Sequence, residues 1–423
     1  MLSFLKLWLV LETGTDRLKR QCAVSKGQGR LGSAPVKTTE VSTSVISGKR
    51  VSDQLPHGVG YPVMVREMKL KNSLGGPAGS VLEKIGTITM NPQQILEDVL
   101  PKVRGTVRVS DIPTLFREPY IHSGYRPVEQ DWNYYLLSLF QPHNEALNVW
   151  THLLAALVLL IRFFVFLETA SPFPTLYSLP LCFFVLACII YLSCSVMAHL
   201  FQSKSELVHY SFYFFDYVGV GTYQYGSALA HYYYCADLEW FWVVQAFFLP
   251  TAALLGWLSC LGCCFSKIHF QRPYPISRKV CQVVPAFLAY LLDISPIVHR
   301  ISRCWATGCT DESIWYHSLQ IALFLVAATF FSYPVPEKFF PGSCDIVGHG
   351  HQIFHLFLAL CTLAQLEAVL LDYRNRQENF TIRGDEDSVY TACSLFLLLL
   401  LCSSSLALYL RGIVKHRLRK RGD

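Results

Sequence analysis

Eight apolar segments, each about 20 residues long, fill most of the chain after residue 146 and limit what it can fold into. A helix of about 20 residues crosses a hydrocarbon core about 30 Å thick and satisfies its own backbone hydrogen bonds there. The sequence therefore predicts an all-α, polytopic membrane protein, with spans at Leu147–Leu167, Tyr177–Leu200, Ser211–Tyr232, Trp240–Cys264, Val280–His299, Ile314–Tyr333, Gly350–Leu371 and Val389–Leu410.

Composition supports this fold class and gives no indication of a nucleic-acid partner. The 423 residues are 52% apolar and only 16% charged, whereas soluble domains contain about 25% charged residues. The net charge of +6 is modest, and six basic residues lie in the last thirteen positions. A short basic tail after a membrane helix is typical of a cytosolic terminus. Because no nucleic-acid-binding motif is present, we expect no nucleic-acid partner.

The chain divides into four regions by composition. Residues 1–90 mix Gly, Ser, Pro and Lys without a sustained period, which is typical of a disordered or variable extension. Residues 91–146 are predicted to form a cytosolic juxtamembrane segment, with a short amphipathic helix at Gln94–Val103 and an aromatic interfacial helix at Val128–Phe140. The transmembrane bundle is expected at 147–410 and the basic cytosolic tail at 411–423.

The distribution of Lys and Arg predicts the orientation. With a cytosolic N terminus, the inner loops and tail hold twelve basic residues and the outer loops hold five. The C terminus is then cytosolic as well. The outer loops would contain the glycosylation sequon at Asn379 and two cysteines, Cys304 and Cys309, that can pair in an oxidising compartment.

Polar residues at the inner ends of the segments point to a metal site. His351 and His355 lie four residues apart and therefore on one helix face. The predicted topology brings His199 and Asp216 to the same depth. Three imidazoles leave a fourth tetrahedral position open, as in catalytic zinc sites. We therefore predict Zn²⁺ at the three histidines, with Asp216 and Ser195 as candidate catalytic groups that hold water or polarise a carbonyl.

Several of these residues also have ordinary structural interpretations. A histidine near the end of a membrane helix is commonly an interfacial or core residue, and a zinc ion can be a structural staple between helices. Glu145 and Asn148, at the start of the first segment, either brace the metal site or cap the helix and contact headgroups. Gln282, at the start of the fifth segment, either donates to a ligand ketone or is a solvated helix start.

Several motifs spread along the chain resemble those of the progestin and adipoQ receptor family. They are Ser195-x3-His199, the triplet centred on Asp216, and Pro341-Gly342 followed by His351-x3-His355. The stretches His143–His152 and Leu292–Arg300 resemble the membrane progestin receptor branch of that family. The resemblance covers the chain from about Val109 to the tail.

This resemblance implies a seven-helix core with a cytosolic N terminus, an eighth C-terminal transmembrane helix, and zinc at His199, His351 and His355 with Asp216 close to the bound water. It implies a plasma-membrane receptor that binds progesterone and related neurosteroids and signals through an inhibitory G protein. Gln282 matches a glutamine proposed to contact the steroid in relatives. Resemblance to alkaline ceramidases implies an alternative function, a zinc-dependent lipid amide hydrolase. Membrane lipid is then a partner or a substrate.

Overall fold

The computed structural model describes residues 105–170, 173–272, 274–383 and 386–422. Within these ranges the chain is helical and contains no strand, apart from one isolated antiparallel bridge between Val107 and Tyr125. The predictions for residues 1–90 and for the helix at Gln94–Val103 lie outside the described residues.

The described residues form eleven α-helices, which we number in chain order. They are α1 (Trp132–Leu137), α2 (Ala146–Thr169), α3 (Leu179–Phe201), α4 (Glu206–Ala230), α5 (Leu238–Val244), α6 (Phe248–His269), α7 (Ile276–Thr307), α8 (Ser313–Ser332), α9 (Gly350–Asn375), α10 (Gln377–Arg383) and α11 (Glu386–Gly422). A π-helical turn, His231–Cys235, continues α4, and short 3₁₀ turns precede α1, follow it and precede α3.

Seven helices of the described chain are long and apolar enough to cross a membrane. They are α2, α3 with its preceding turn, α6, α7, α8, α9 and α11. This confirms the predicted all-α, multi-pass fold class. The third predicted segment, Ser211–Tyr232, coincides with α4 and its π turn, but α4 is not among these seven. The eighth span and the cytosolic N terminus therefore stay predictions.

Helix α4 is less apolar because other helices surround it. It packs against α3, α6, α7 and α11, so protein covers much of its surface. Glycines permit the close approach. A Cβ at Gly221 would lie 2.5 Å from the backbone oxygen of Gly256 on α6, and a Cβ at Gly256 would lie 2.8 Å from that of Gly221. Small residues at such crossings are the usual means of packing membrane helices.

We expect Gly221→Val to destabilise the bundle, because the added side chain must push the backbones of α4 and α6 apart. Overpacking of this kind costs about 1–3 kcal/mol. The measurement is the thermal unfolding midpoint of purified protein. The matched control is Gly412→Val on α11, where no atom lies within 4 Å of the new Cβ. An equal midpoint in both variants would contradict the predicted contact.

The fourth predicted segment was wrong in one respect. We expected a single helix over Trp240–Cys264, but α5 ends at Val244 and α6 begins at Phe248. Pro250 explains the break. A proline ring clashes with the carbonyl four residues earlier but is tolerated in the first turn of a helix, so the chain restarts its helix just before this residue.

Two terminal features of the long helices extend the predicted boundaries. Helix α7 continues through Pro285 and Pro296 and ends at Thr307. The next residue, Gly308, caps the helix with a left-handed φ of 72°. Cys304, in the last turn of α7, forms the predicted disulfide with Cys309, which follows Gly308. Helix α11 continues to Gly422, so the segment predicted as a basic tail is an extension of the last helix.

The predicted interfacial helix is present in a shorter form, as α1 followed by a 3₁₀ turn over Ser138–Phe140. It keeps large apolar side chains outside the protein: Trp132 is 47% exposed, Leu136 50% and Phe140 71%. Tyr135, on its other face, is fully buried. This division between a buried face and an exposed aromatic face is typical of a helix that lies at a membrane surface.

Candidate metal centre

The end of α3 is fixed by a buried arginine from the preceding loop. Arg126 is only 2% exposed. Its guanidinium donates to the backbone oxygens of His199 and Leu200, at 2.6 Å each, and to Ser138 Oγ at 3.1 Å. The last carbonyls of a helix have no partner within it, so this arginine replaces the missing donors. The contact holds the backbone of His199 in place.

The start of α9 is equally well defined. The Glu337 carboxylate accepts a hydrogen bond of 2.7 Å from the backbone N–H of Gly350, which satisfies one of the unpaired donors at a helix N terminus. A Cβ at Gly350 would lie 2.7 Å from the backbone oxygen of Val335, so only glycine fits. His351 and His355 follow in the first two turns and point to the same side.

Three histidines from α3 and α9 meet in the interior. The Nε2 atoms of His199 and His351 are 3.4 Å apart. The His355 ring centroid lies 4.7 Å from each of the other two rings. One ligand atom from each residue lies within 4.8 Å of the others, and His199 and His355 are each 2% exposed. The structure thus brings together the three residues that the sequence predicted from separate segments.

Neighbouring groups determine which nitrogen of the His199 and His355 rings is available. His199 Nδ1 lies 2.7 Å from the Glu145 carboxylate, which in turn accepts a 2.6 Å hydrogen bond from Asn148 Nδ2. His355 Nδ1 lies 3.2 Å from the backbone oxygen of Asn148. An acceptor therefore faces Nδ1 of His199 and of His355, so that each of these two rings, as a neutral metal ligand, would keep its proton there and offer the Nε2 lone pair.

This donor set suits a zinc ion. Zn–N bonds of about 2.0–2.1 Å in a tetrahedral site separate the nitrogens by about 3.4 Å. The 3.4 Å between the Nε2 atoms of His199 and His351 matches that separation. His199, His351 and His355 are therefore the residues that would hold the ion, and the carboxylate behind His199 is the usual companion of a metal-ligating histidine.

Glu145 thus contacts His199, and Asn148 contacts His355. These contacts are the ones expected if the two residues brace the metal site. Burial alone would raise the pKa of Glu145, but the attraction and hydrogen bond of His199 outweigh it and hold the pKa well below its ordinary value. Burial lowers the pKa of His143 to about 3, and the charge of Arg126 acts in the same direction. His143 is therefore neutral, and its Nδ1 accepts from the backbone N–H of Glu145.

We expect Glu145→Gln to weaken metal binding by about 10–100-fold, the usual effect of losing the partner of a ligating histidine. The amide preserves the size of the side chain but removes the charge that orients and polarises the His199 ring. The measurement is zinc affinity by competition with a chelator. Glu168→Gln, in the last turn of α2, is the control for charge loss alone; unchanged affinity in Glu145→Gln would contradict the assigned role.

The remaining predicted site residues share no hydrogen bond or ion pair with the three histidines in the described part of the chain. Asp216 lies on α4, which packs against α3, and shares no hydrogen bond or ion pair with the triad among the described residues. Ser195 is 3% exposed and lies one turn before His199 on α3. Gln282 is 6% exposed on α7 and lies six residues after the helix start at Ile276. Its interpretation as a solvated helix start is therefore wrong.

Two further residues contribute to the surroundings of the site. His152 on α2 stacks on His355, with ring centroids 4.0 Å apart, and its other side meets the edge of Tyr191 at 5.7 Å. Sequence reasoning missed Arg126. That arginine lies in an irregular loop, where no periodic pattern indicates burial.

A second group of metal-type ligands lies elsewhere in the described chain. Cys235, His317 and Asp372 offer atoms within 4.8 Å of one another. However, Arg300 donates to both Asp372 oxygens at 2.6 and 2.8 Å, and His317 Nε2 lies 2.8 Å from that carboxylate. A metal here would have to displace the guanidinium, which is 4% exposed. We interpret this group as a buried ion cluster that joins α7, α8 and α9.

Deep polar residues to which the sequence assigned no role also have partners. Asp293 accepts a 2.6 Å hydrogen bond from Ser227, and Gln365 donates to the same hydroxyl at 2.5 Å. Glu367 forms a two-point ion pair with Arg162 at 2.5 and 2.6 Å. Charged groups inside a membrane protein are costly unless they are paired, so these contacts account for their presence.

Comparison with known proteins agrees with the fold and with the histidine motifs. A family model described as haemolysin-III related matches residues 140–366, which include both α3 and the start of α9. The chain belongs to this family and, within it, to the progestin and adipoQ receptors that the motifs predicted.

Individual relatives match over most of the chain. It is 58% identical to membrane progestin receptor beta of Mus musculus over 349 residues, which are 81% of this chain and 99% of the relative. The identity to the Homo sapiens protein of the same name is also 58%, with the same coverage. Membrane progestin receptor alpha-B of Danio rerio is 49% identical over 352 residues, again 81% of this chain and 99% of the relative.

Proposed function

We propose that this chain is a plasma-membrane receptor for progestins and related neurosteroids, with a Zn²⁺ site at His199, His351 and His355. The observation that carries the proposal is the 58% identity, over nearly the whole of the relative, to proteins named membrane progestin receptor beta. The meeting of the three histidines, with acceptors facing Nδ1 of His199 and of His355, supports the metal site.

The proposal includes a topology. Both termini are cytosolic, α4 is the additional span that completes eight, and the zinc site lies near the cytosolic face. The excess of basic residues in the inner loops and in the α11 extension supports this orientation. In it, the basic ends of α6 and α11 face an inhibitory G protein. Asn379, in α10, is then extracellular and available for glycosylation.

A steroid can act as a signal only if it binds one conformation of the bundle better than another. The test is saturable binding of labelled progesterone to the purified full-length chain in detergent, with unlabelled progesterone and cortisol as competitors. We expect displacement by progesterone at far lower concentrations than by cortisol. Binding that does not saturate, or that is lost on purification from well-folded protein, would contradict the receptor.

Gln282 is proposed as a polar anchor for the steroid. Its amide is buried on α7 and can donate to a ketone. We expect Gln282→Leu to weaken progesterone binding about 3–10-fold, which corresponds to the loss of one hydrogen bond. The measurement is the dissociation constant, and Gln377→Leu, at the start of α10, is the control. Equal affinity for wild type and Gln282→Leu would remove this residue from the binding site.

A second candidate function is a zinc-dependent lipid amide hydrolase. The observation that favours it is the buried triad with Asp216 on the adjoining helix α4. A bound zinc ion would polarise the amide carbonyl and activate a water. Asp216 would take a proton from that water and return it to the leaving amine, and Ser195 would donate to the carbonyl.

Hydrolysis and steroid binding can be separated experimentally. Purified protein is incubated with ceramide, and released fatty acid is measured for wild type and His351→Ala. The hydrolase requires release by wild type and its loss in the variant. Release that persists in His351→Ala would exclude this mechanism, while progesterone binding without any release would favour the receptor alone.

A further inference from the structure

A groove of about 380 Å³ lies between the C-terminal ends of α6 and α11, away from the histidine triad. Its apolar wall consists of residues spaced three and four apart on each helix, so that each helix presents one face. This wall is lined by Leu261, Phe265, Ile268, Leu410 and Ile413. At one end the wall gives way to polar groups: His269, Gln271 and Arg417.

The groove lies where each helix changes from apolar to basic. Leu410 is followed by Arg411, and α6 ends at His269 shortly before Arg272. A change of this kind marks the boundary between the hydrocarbon and headgroup regions of a bilayer. The apolar wall therefore faces acyl chains, and Arg417 lies at the depth of headgroups.

The polar end of the groove is held in position by packing. The His269 ring stacks on Phe265 with centroids 4.8 Å apart, and the edge of Phe270 meets it at 5.0 Å. On α11, Val414 is 4% exposed and belongs to the same buried apolar cluster as Phe214 of α4. Because Val414 anchors this part of α11, Ile413 and Arg417 are directed to the groove.

The charge of this surface selects an anion. The α11 extension carries six basic residues between positions 411 and 421, and of these only Arg421 has an ion-pair partner among the described residues, Glu206 at 3.2 Å. No described carboxylate pairs with Arg417. A guanidinium beside an apolar groove at headgroup depth is complementary to the phosphate of an anionic lipid.

We propose that this groove binds one anionic phospholipid. Its headgroup phosphate contacts Arg417, with His269 and Gln271 as hydrogen-bonding neighbours, and its glycerol and upper acyl chains lie against Phe265, Leu410 and Ile413. The site depends on neither the zinc ion nor the steroid. It would fix the α11 extension against α6 and α4, at the surface proposed above to face the G protein.

The test measures lipid retention by native mass spectrometry on the purified full-length chain in neutral detergent. Detergent removes the charged membrane surface, so a basic residue that does not touch the lipid contributes little. Phosphatidylserine is compared with phosphatidylcholine for wild type, Arg417→Gln and Ile413→Trp. The first variant removes the charge, and the second fills the groove while keeping the charge. Lys415→Gln, exposed on the same helix and outside the groove lining, is the matched control.

We expect wild type and Lys415→Gln to retain phosphatidylserine in preference to phosphatidylcholine. Arg417→Gln should reduce this retention about fivefold, the effect of one basic contact with an anionic lipid. Ile413→Trp should also reduce it, because the larger side chain occupies the space of the glycerol and acyl chains. The variants should unfold at the same temperature as wild type, which shows that a loss of bound lipid comes from the change in the groove and not from misfolding. Equal retention of the two lipids by wild type, or equal losses in Lys415→Gln and Arg417→Gln, would overturn the proposal.

Discussion

The Asp372→Ala variant is expected to lose about 3–5 kcal/mol of stability, the cost of removing one partner from a buried ion pair. Asp372 is 1% exposed and accepts hydrogen bonds from Arg300 and Ser313, with His317 Nε2 at 2.8 Å. Its loss leaves the Arg300 guanidinium buried, with Asp311 as its remaining carboxylate partner. The measurement is the thermal unfolding midpoint of the purified protein.

Two further variants make this prediction specific. Asp387→Ala removes an exposed carboxylate from α11 and should leave the midpoint unchanged. The double variant Asp372→Leu with Arg300→Met removes both charges, so it should cost less than the two single changes together. A midpoint for Asp372→Ala equal to that of wild type would contradict our interpretation of the cluster.

The second large effect concerns metal removal. If the three histidines hold zinc, the ion ties α3 to α9 and stabilises the folded state in proportion to its affinity. At a free zinc concentration about a thousand times the Kd, the stabilisation is about 4 kcal/mol. A strong chelator should therefore lower the unfolding midpoint of wild type substantially. The same chelator should leave the midpoint of His351→Ala unchanged, because that variant has lost a ligand.

The control for this experiment is His416→Ala, which removes an exposed histidine from the α11 extension. It should respond to the chelator as wild type does. An equal response of His351→Ala and wild type would show that stabilisation by metal comes from another site. A wild-type midpoint indifferent to the chelator would contradict a zinc link between the helices.

Much of the fold could be predicted because the bilayer imposes a simple rule on sequence. Segments such as Gly350–Leu371 are long and apolar, and the corresponding helix α9 begins at the predicted residue. The meeting of His199 with His351 and His355 was also predictable. Spans of similar length place residues at matching depths, and the four-residue spacing places two of the histidines on one face.

Other features depend on tertiary contacts that no local pattern encodes. The polar composition of α4 is explained by its burial among α3, α6 and α11, and the Gly221 and Gly256 contacts show how closely it approaches α6. Arg126 lies in a loop and becomes important because it reaches the end of α3. The choice between bracing and capping for Glu145 depended on a 2.7 Å contact with a residue 54 positions away.

The most direct test of the metal centre is the zinc content of the purified full-length protein, measured by elemental analysis after purification without added metal or chelator. Wild type and His416→Ala should each contain about one zinc ion per chain, and His199→Ala should contain almost none. Wild type without zinc, or His199→Ala with as much zinc as wild type, would contradict a site built from α3 and α9.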